Sequence, residues 1–137
     1  MKAVIDTNVL VAAFATHGLC HAVFELCLDQ HEIMISQEIL NELGDVLSKK
    51  IKLPQSLIKR TSDYLRRHAR VYKITGQFRE ISRDKSDDHI LALAEQVTAD
   101  IIITGDADLI VLNNHVGIPI VQPRQFWEII KKTPKAE

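Results

Sequence analysis

Cysteine is nearly missing from this chain: Cys20 and Cys27 are the only two among 137 residues. Their spacing puts them on one face of a helix, about 10 Å apart along its axis, too far for a disulfide. Two cysteines without paired-ligand spacing make no zinc site, so they read as small apolar side chains in a reduced compartment. Glycine and proline are sparse, at five and four residues. No linker, low-complexity stretch or internal repeat interrupts the chain, and the expectation is a single domain over residues 1–131 with a flexible tail at 132–137. No apolar run is long enough to span a bilayer. The opening Met1-Lys2-Ala3-Val4-Ile5-Asp6 is too short and too charged for a signal peptide, which leads us to expect a cytoplasmic protein without membrane contact. Charge of one sign is not in excess: 17 Lys and Arg against 18 Asp and Glu leave a net charge of −1, which argues against a generally basic nucleic-acid binder. The sequence has no Walker A loop, no dinucleotide glycine fingerprint and no G-x-S-x-G elbow, so an ATPase, a nicotinamide enzyme and a serine hydrolase lose support.

What is present is alternation. Ala3-Val4-Ile5 reads as a short buried strand, followed by a helix from Thr7 to Phe14 and another from Leu19 to Leu28. Ile33-Met34-Ile35 reads as a second strand, and Ser36 as the N-cap of a helix with the stripe Ile39, Leu40, Leu43, Val46, Leu47. Pro54 suits the first turn of a helix running to about Arg70, and Val71 to Ile74 reads as a third strand. Thr75 to Lys85 is polar and irregular. Ser86 caps a helix with Ile90, Leu91, Ala94 and Val97 inward. Ile101-Ile102-Ile103 is a continuous apolar run, as a strand buried on both faces should be. Ile118 to Val121 is the last strand, before a terminal helix holding Phe126, Trp127, Ile129 and Ile130. Strands alternating with helices predict an α/β fold with a parallel sheet and right-handed crossovers that put helices on both faces.

Two of these strands run into acids: Ile5 into Asp6, and Ile103 through Thr104-Gly105 into Asp106. Ligands of open parallel sheets bind outside the carboxyl ends of the strands, where both acids would project, and Gly105 is expected to let the chain turn sharply there. Asp87 and Asp88 open the helix that precedes the Ile101 strand. The helix dipole alone explains an acid there, but a crossover also brings that helix end to the ligand side. Glu42 is the acid nearest the apolar face of its helix, whereas Glu38, Asn41 and Asp45 fall toward solvent; by periodicity alone Glu42 is expected at the boundary with its head in water. Converging carboxylates repel one another and need a counter-charge. All-oxygen donors suit Mg²⁺ or Mn²⁺, ions that act on phosphoryl groups. Basic residues crowd the middle of the chain, and Lys59, Arg66, Arg67 and Arg70 are candidate contacts to a nucleic-acid backbone.

These residues resemble the PIN-domain family of ribonucleases. Val4-Ile5-Asp6-Thr7-Asn8-Val9-Leu10 resembles the family's opening strand. Ser36-Gln37-Glu38-Ile39-Leu40-Asn41-Glu42-Leu43 resembles its second block, Asp87-Asp88-His89-Ile90-Leu91 its third, and Thr104-Gly105-Asp106-Ala107-Asp108-Leu109 its fourth. The order and near-complete coverage make the resemblance specific. It implies a three-layer α/β/α fold with a twisted parallel sheet, and a Mg²⁺- or Mn²⁺-dependent endoribonuclease acting on single-stranded RNA. It further implies a toxin of a bacterial toxin–antitoxin pair, with a small antitoxin as partner and a homodimeric state. By the same resemblance Asp6, Glu42, Asp106 and either Asp87 or Asp88 hold the metal, Asp108 is an auxiliary acid, and Thr7, Asn8 and Thr104 orient carboxylates or water. The alternative is a non-catalytic PIN-fold module for RNA or protein binding, against which the intact acid set argues.

Two other readings fit less well. A response-regulator module needs an Asp ending its central strand and a Lys beyond a later one; neither Ile33-Met34-Ile35 nor Val71-Tyr72-Lys73-Ile74 supplies the Asp, and no Lys follows Val121. A small-molecule phosphatase needs a D-x-D loop, which Asp6-Thr7-Asn8 is not. His17, His21, His31, His68, His89 and His115 are scattered, and the His17–His21 pair lacks a third ligand.

Overall fold

The computed structural model of the chain describes residues 1–75 and 88–132. The elements run β1 (Lys2–Ile5), α1 (Thr7–Ala15), α2 (Leu19–Gln30), β2 (Glu32–Ser36), α3 (Gln37–Lys49), α4 (Gln55–His68), β3 (Arg70–Tyr72), α5 (Asp88–Val97), β4 (Ile101–Ile103), α6 (Ala107–Ile110), β5 (Asn114–His115), β6 (Ile118–Val121) and α7 (Pro123–Lys132). Among the described residues the strands form a six-stranded sheet of order β3-β2-β1-β4-β6-β5. β1 pairs in parallel with β2 and β4, β2 with β3, and β4 with β6, while β5 lies antiparallel to β6. The chain steps outward from β1 through β2 to β3, then crosses back to β4 on the other side of β1. The direction of winding therefore reverses between β1 and β4, the place where doubly wound sheets open a crevice for ligands.

The central strands are apolar because both faces are covered. Ala3, Val4, Ile5, Ile102 and Ile103 are fully buried, and burial on two faces needs helical layers on both. Ser36 caps α3 as its sequence suggested, accepting from the Ile39 N–H at 3.1 Å, and Ile39, Leu40, Leu43 and Leu47 go inward. α4 packs antiparallel on α3: Gln55 donates to Ser48, and Arg66 at the other end donates to Gln37. The end of α4 thereby lies beside the start of α3, at the carboxyl edge of the sheet. Among the described residues no single helix is long and apolar enough to cross a membrane.

Several expectations need correction. α4 ends at His68, two residues before Arg70, because Ala69 turns extended and Arg70 already belongs to β3. The sheet is not wholly parallel, since β5 and β6 form a hairpin. Its two-residue loop, Val116-Gly117, has positive φ at both positions, 45° and 85°, as the turns that match strand twist require. A β-branched first residue disguises that turn in the sequence. Glu38 does not reach solvent freely; its Oε2 is buried without a partner among the described residues. Cys20 and Cys27 are free thiols, and burial pushes Cys27 up to about 12. α7 runs to Lys132, one residue into the expected tail; residues 133–137, Ser86 and Asp87 lie outside the described residues.

Candidate active site

Asp6 follows the last residue of β1, and its amide still bonds across to the Ile103 carbonyl of β4 at 3.0 Å. This fixes the backbone at the switch point and leaves the side chain 5% exposed. Oδ1 accepts from the Thr7 N–H at 2.6 Å, and Oδ2 accepts from the Thr104 hydroxyl at 2.7 Å. The Thr104 oxygen in turn accepts from the Asp106 N–H at 3.0 Å. A single buried hydroxyl therefore ties the Asp6 carboxylate to the backbone of Asp106 in the turn after β4. Asp106 caps α6 by accepting from the Asp108 N–H at 2.8 Å.

Gly105 serves this turn differently from the sequence expectation. Its φ is not in the left-handed region, and an added Cβ would make only ordinary contact with the Asn8 side chain at 3.6 Å. What Gly105 contributes is its N–H, which donates to Asn8 Oδ1 at 3.1 Å and ties the start of α1 to the turn after β4.

Glu42 reaches the same network from α3. Its Oε1 accepts from the Thr7 hydroxyl at 2.9 Å and lies 3.0 Å from Nε2 of His89. The boundary glutamate is thus drawn over the strand ends rather than left in water. Asp88, at the start of α5, is 4% exposed. His89 is the residue that sequence reasoning passed over. Its position four residues before Leu93 and eight before Val97, both buried, places it on the inward stripe of α5, and that spacing was a usable signal.

Burial pushes the Asp6 carboxyl above the usual range; the bonds from Thr104 and Thr7 pull it back, and the charge of Glu42 pushes it further up. Burial also acts to raise Glu42, but the His89 contact and charge, with the Thr7 hydroxyl, outweigh it and hold Glu42 low. Burial acts to lower His89, but the Glu42 contact and the charges of Glu42, Asp6 and Glu38 hold it high. Among the described residues the site thus sets the buried Asp6 beside the half-buried Glu42, with His89 as the basic side chain held against them. Among the described residues, no three acid, histidine or cysteine side chains stand close enough to enclose one ion. The donor chemistry fits a hard dication nonetheless: it is all oxygen, and burial makes Asp6 costly to ionise without a cation.

The basic candidates are not gathered in the same way. Arg66 lies at the acid edge through Gln37 at 2.9 Å, and Arg67 is exposed in the same last turn of α4. Lys59 pairs with Asp63 on the helix surface at 2.9 Å. Arg70 reaches back to Glu32, at the amino end of β2, at 3.4 Å.

Comparison with known proteins places this architecture. The PIN-domain family model matches residues 2–108. The chain belongs to the PIN-domain family. Among solved structures it is similar to a chain of VapBC2 from Rickettsia felis, crystallised with a DNA fragment from the promoter, with a TM-score of 0.66 and 20% identity over 89% of this chain and 98% of that one. It is also similar to VapC20 of Mycobacterium tuberculosis, a sarcin-ricin loop cleaving toxin, with a TM-score of 0.61 and 14% identity over 85% of this chain and 98% of that one. No curated protein is matched in sequence.

Proposed function

We propose that the chain is a divalent-cation-dependent endoribonuclease that hydrolyses phosphodiesters of single-stranded RNA in the cytoplasm. In this reading it is the toxin of a toxin–antitoxin pair, a homodimer held in check by a small antitoxin. The observation that carries the reading is the hydrogen-bonded run from Glu42 through Thr7 and Asp6 to Thr104 and Asp106, which collects acids from distant parts of the chain at the switch point. Family membership supports it, as does the likeness in fold to VapBC2 and to VapC20, a toxin that cleaves the sarcin-ricin loop.

Asp6, Glu42, Asp106 and Asp88, or its neighbour Asp87, would hold Mg²⁺ or Mn²⁺. The bound cation would supply charge neutralisation at the scissile phosphate and ease the loss of a proton from the attacking water; the P–O3′ bond would break and the 3′ oxygen take up a proton, giving a 5′-phosphate and a 3′-hydroxyl. Thr104 and the Thr7 N–H fix both oxygens of Asp6, so its carboxylate is oriented before substrate arrives. Thr7 does the same for Glu42, Asn8 braces the turn after β4, and Asp108 stands by as an auxiliary acid. Arg66 and Arg67 would attract the RNA backbone beside the acids.

The test is cleavage of single-stranded RNA by the purified protein. Scission with Mn²⁺ or Mg²⁺ that stops with EDTA is expected. An intact, folded protein that cleaves nothing with either ion would favour the non-catalytic PIN module.

A further inference from the structure

Glu42 has no packing reason to stay over the strand ends. It lies outside the apolar stripe of α3, and its side chain keeps 41% of its exposure. A glutamate so placed normally swings into water, because ordering it costs side-chain entropy. Two polar contacts hold it instead, one from the Thr7 hydroxyl and one from the His89 ring, and both fall on Oε1. Among the described residues Oε2 has no hydrogen-bond partner.

Of the two, His89 is the firmer anchor. Its side chain is 12% exposed, and its buried Nδ1 has no hydrogen-bond partner among the described residues. The ring therefore commits its polar contact to Glu42. It projects from α5 next to Asp88, while Thr7 opens α1, so Glu42 is the point where α1, α3 and α5 meet through polar atoms.

We propose that His89 is a positioning residue that engages Oε1 of Glu42, holding that carboxylate over the strand ends with Oε2 turned to a divalent cation. This rests on the nuclease reading of the same site. Groups in this outer role orient ligands, and their loss typically costs about 10- to 100-fold in metal affinity or activity. If the ring were only a core histidine satisfied by a nearby acid, its removal would cost stability and leave cation binding alone.

The experiment measures Mn²⁺ binding by calorimetry to the wild type, His89→Leu and His89→Gln, each at a temperature where thermal melts show it folded. Crystal structures of the metal-free wild type and leucine variant accompany it. Leucine keeps the buried volume without the polar contact; glutamine restores a donor. The expected result is an Mn²⁺ Kd raised about 10- to 100-fold in His89→Leu, recovery of most of that loss in His89→Gln, and a Glu42 carboxylate that leaves its place in the leucine variant. Unchanged Mn²⁺ affinity in His89→Leu would overturn the proposal. So would a glutamine variant as weak as the leucine one, since the hydrogen bond would then not be what matters. Should the leucine variant not fold, the glutamine variant decides alone: near-wild-type affinity supports the proposal and a full loss overturns it. A wild type that binds no Mn²⁺ overturns the nuclease reading first and this proposal with it.

Discussion

Thr104 donates its hydroxyl proton to Oδ2 of Asp6 across 2.7 Å, joining the ends of β1 and β4 from 98 residues apart in sequence. The same oxygen accepts from the Asp106 N–H, and the side chain is fully buried. Thr104→Val keeps the shape, takes the acceptor from the Asp106 N–H and leaves Asp6 Oδ2 only the longer bond from Asn8 at 3.5 Å. A loss of about 1–3 kcal/mol in unfolding free energy is expected. Thr104→Ser, which keeps the hydroxyl, should lose only about 0.8 kcal/mol for the missing methyl. Urea denaturation at neutral pH measures both, and equal losses in the two variants would show that the hydroxyl contributes nothing.

The pairing of Glu42 with His89 sets a pH window for the stability of the metal-free protein. Glu42 is held below its ordinary 4.5, so its contribution is complete above that value and is lost as pH falls through the lowered folded-state pKa. His89 is held above its ordinary 6.5, so its contribution is complete below that value and is lost as pH rises through the raised one. Asp6, held above 3.8, works in the opposite sense to Glu42: ionising it in the folded state reduces stability as pH rises through its raised pKa. Thermal midpoints taken between about pH 6 and 9, where histidine titrates, should fall with rising pH in the wild type. In His89→Gln that decline should flatten. A glutamine variant that keeps the full slope would assign it to another group.

Strain in the β5–β6 hairpin gives a prediction independent of the site. Val116 adopts φ 45° while 66% exposed, a conformation that costs a β-branched residue about 1 kcal/mol or more. Asparagine tolerates that region and suits the first position of such a turn. Val116→Asn is expected to raise stability by about 1 kcal/mol without touching the acids. A lower midpoint in the variant would mean that Val116 makes a contact worth more than the strain.

The alternation of strands and helices and most elements were legible because their signals are local and strong, whereas the strand order was not. Continuous apolar triplets mark β1 and β4, and the stripe from Ile39 to Leu47 marks α3. Asp6 and Asp106 were legible as strand-end acids. The shorter elements were not: α6 spans four residues and β5 two, too few to set up a period, and Val116 hides the turn. The inward swing of Glu42 was missed because periodicity reports where a Cβ points, not what a long side chain bonds to. The inward placing of His89 could be read from its spacing to Leu93 and Val97, but its partner lies 47 positions earlier in the chain and only the fold brings them together. Gly105 was read for its freedom when its amide is what the structure uses.

The central claim is that acids from separate elements form one site that holds a divalent cation. The most direct measurement is Mn²⁺ affinity of the purified wild type beside Asp6→Asn, which keeps the size of the side chain and removes its charge. The account predicts a wild type that binds Mn²⁺ and an Asp6→Asn variant that is folded, at least as stable without metal because a costly buried charge is gone, and weaker in Mn²⁺ affinity by about 10-fold or more. Equal Mn²⁺ affinity in the two proteins would contradict it.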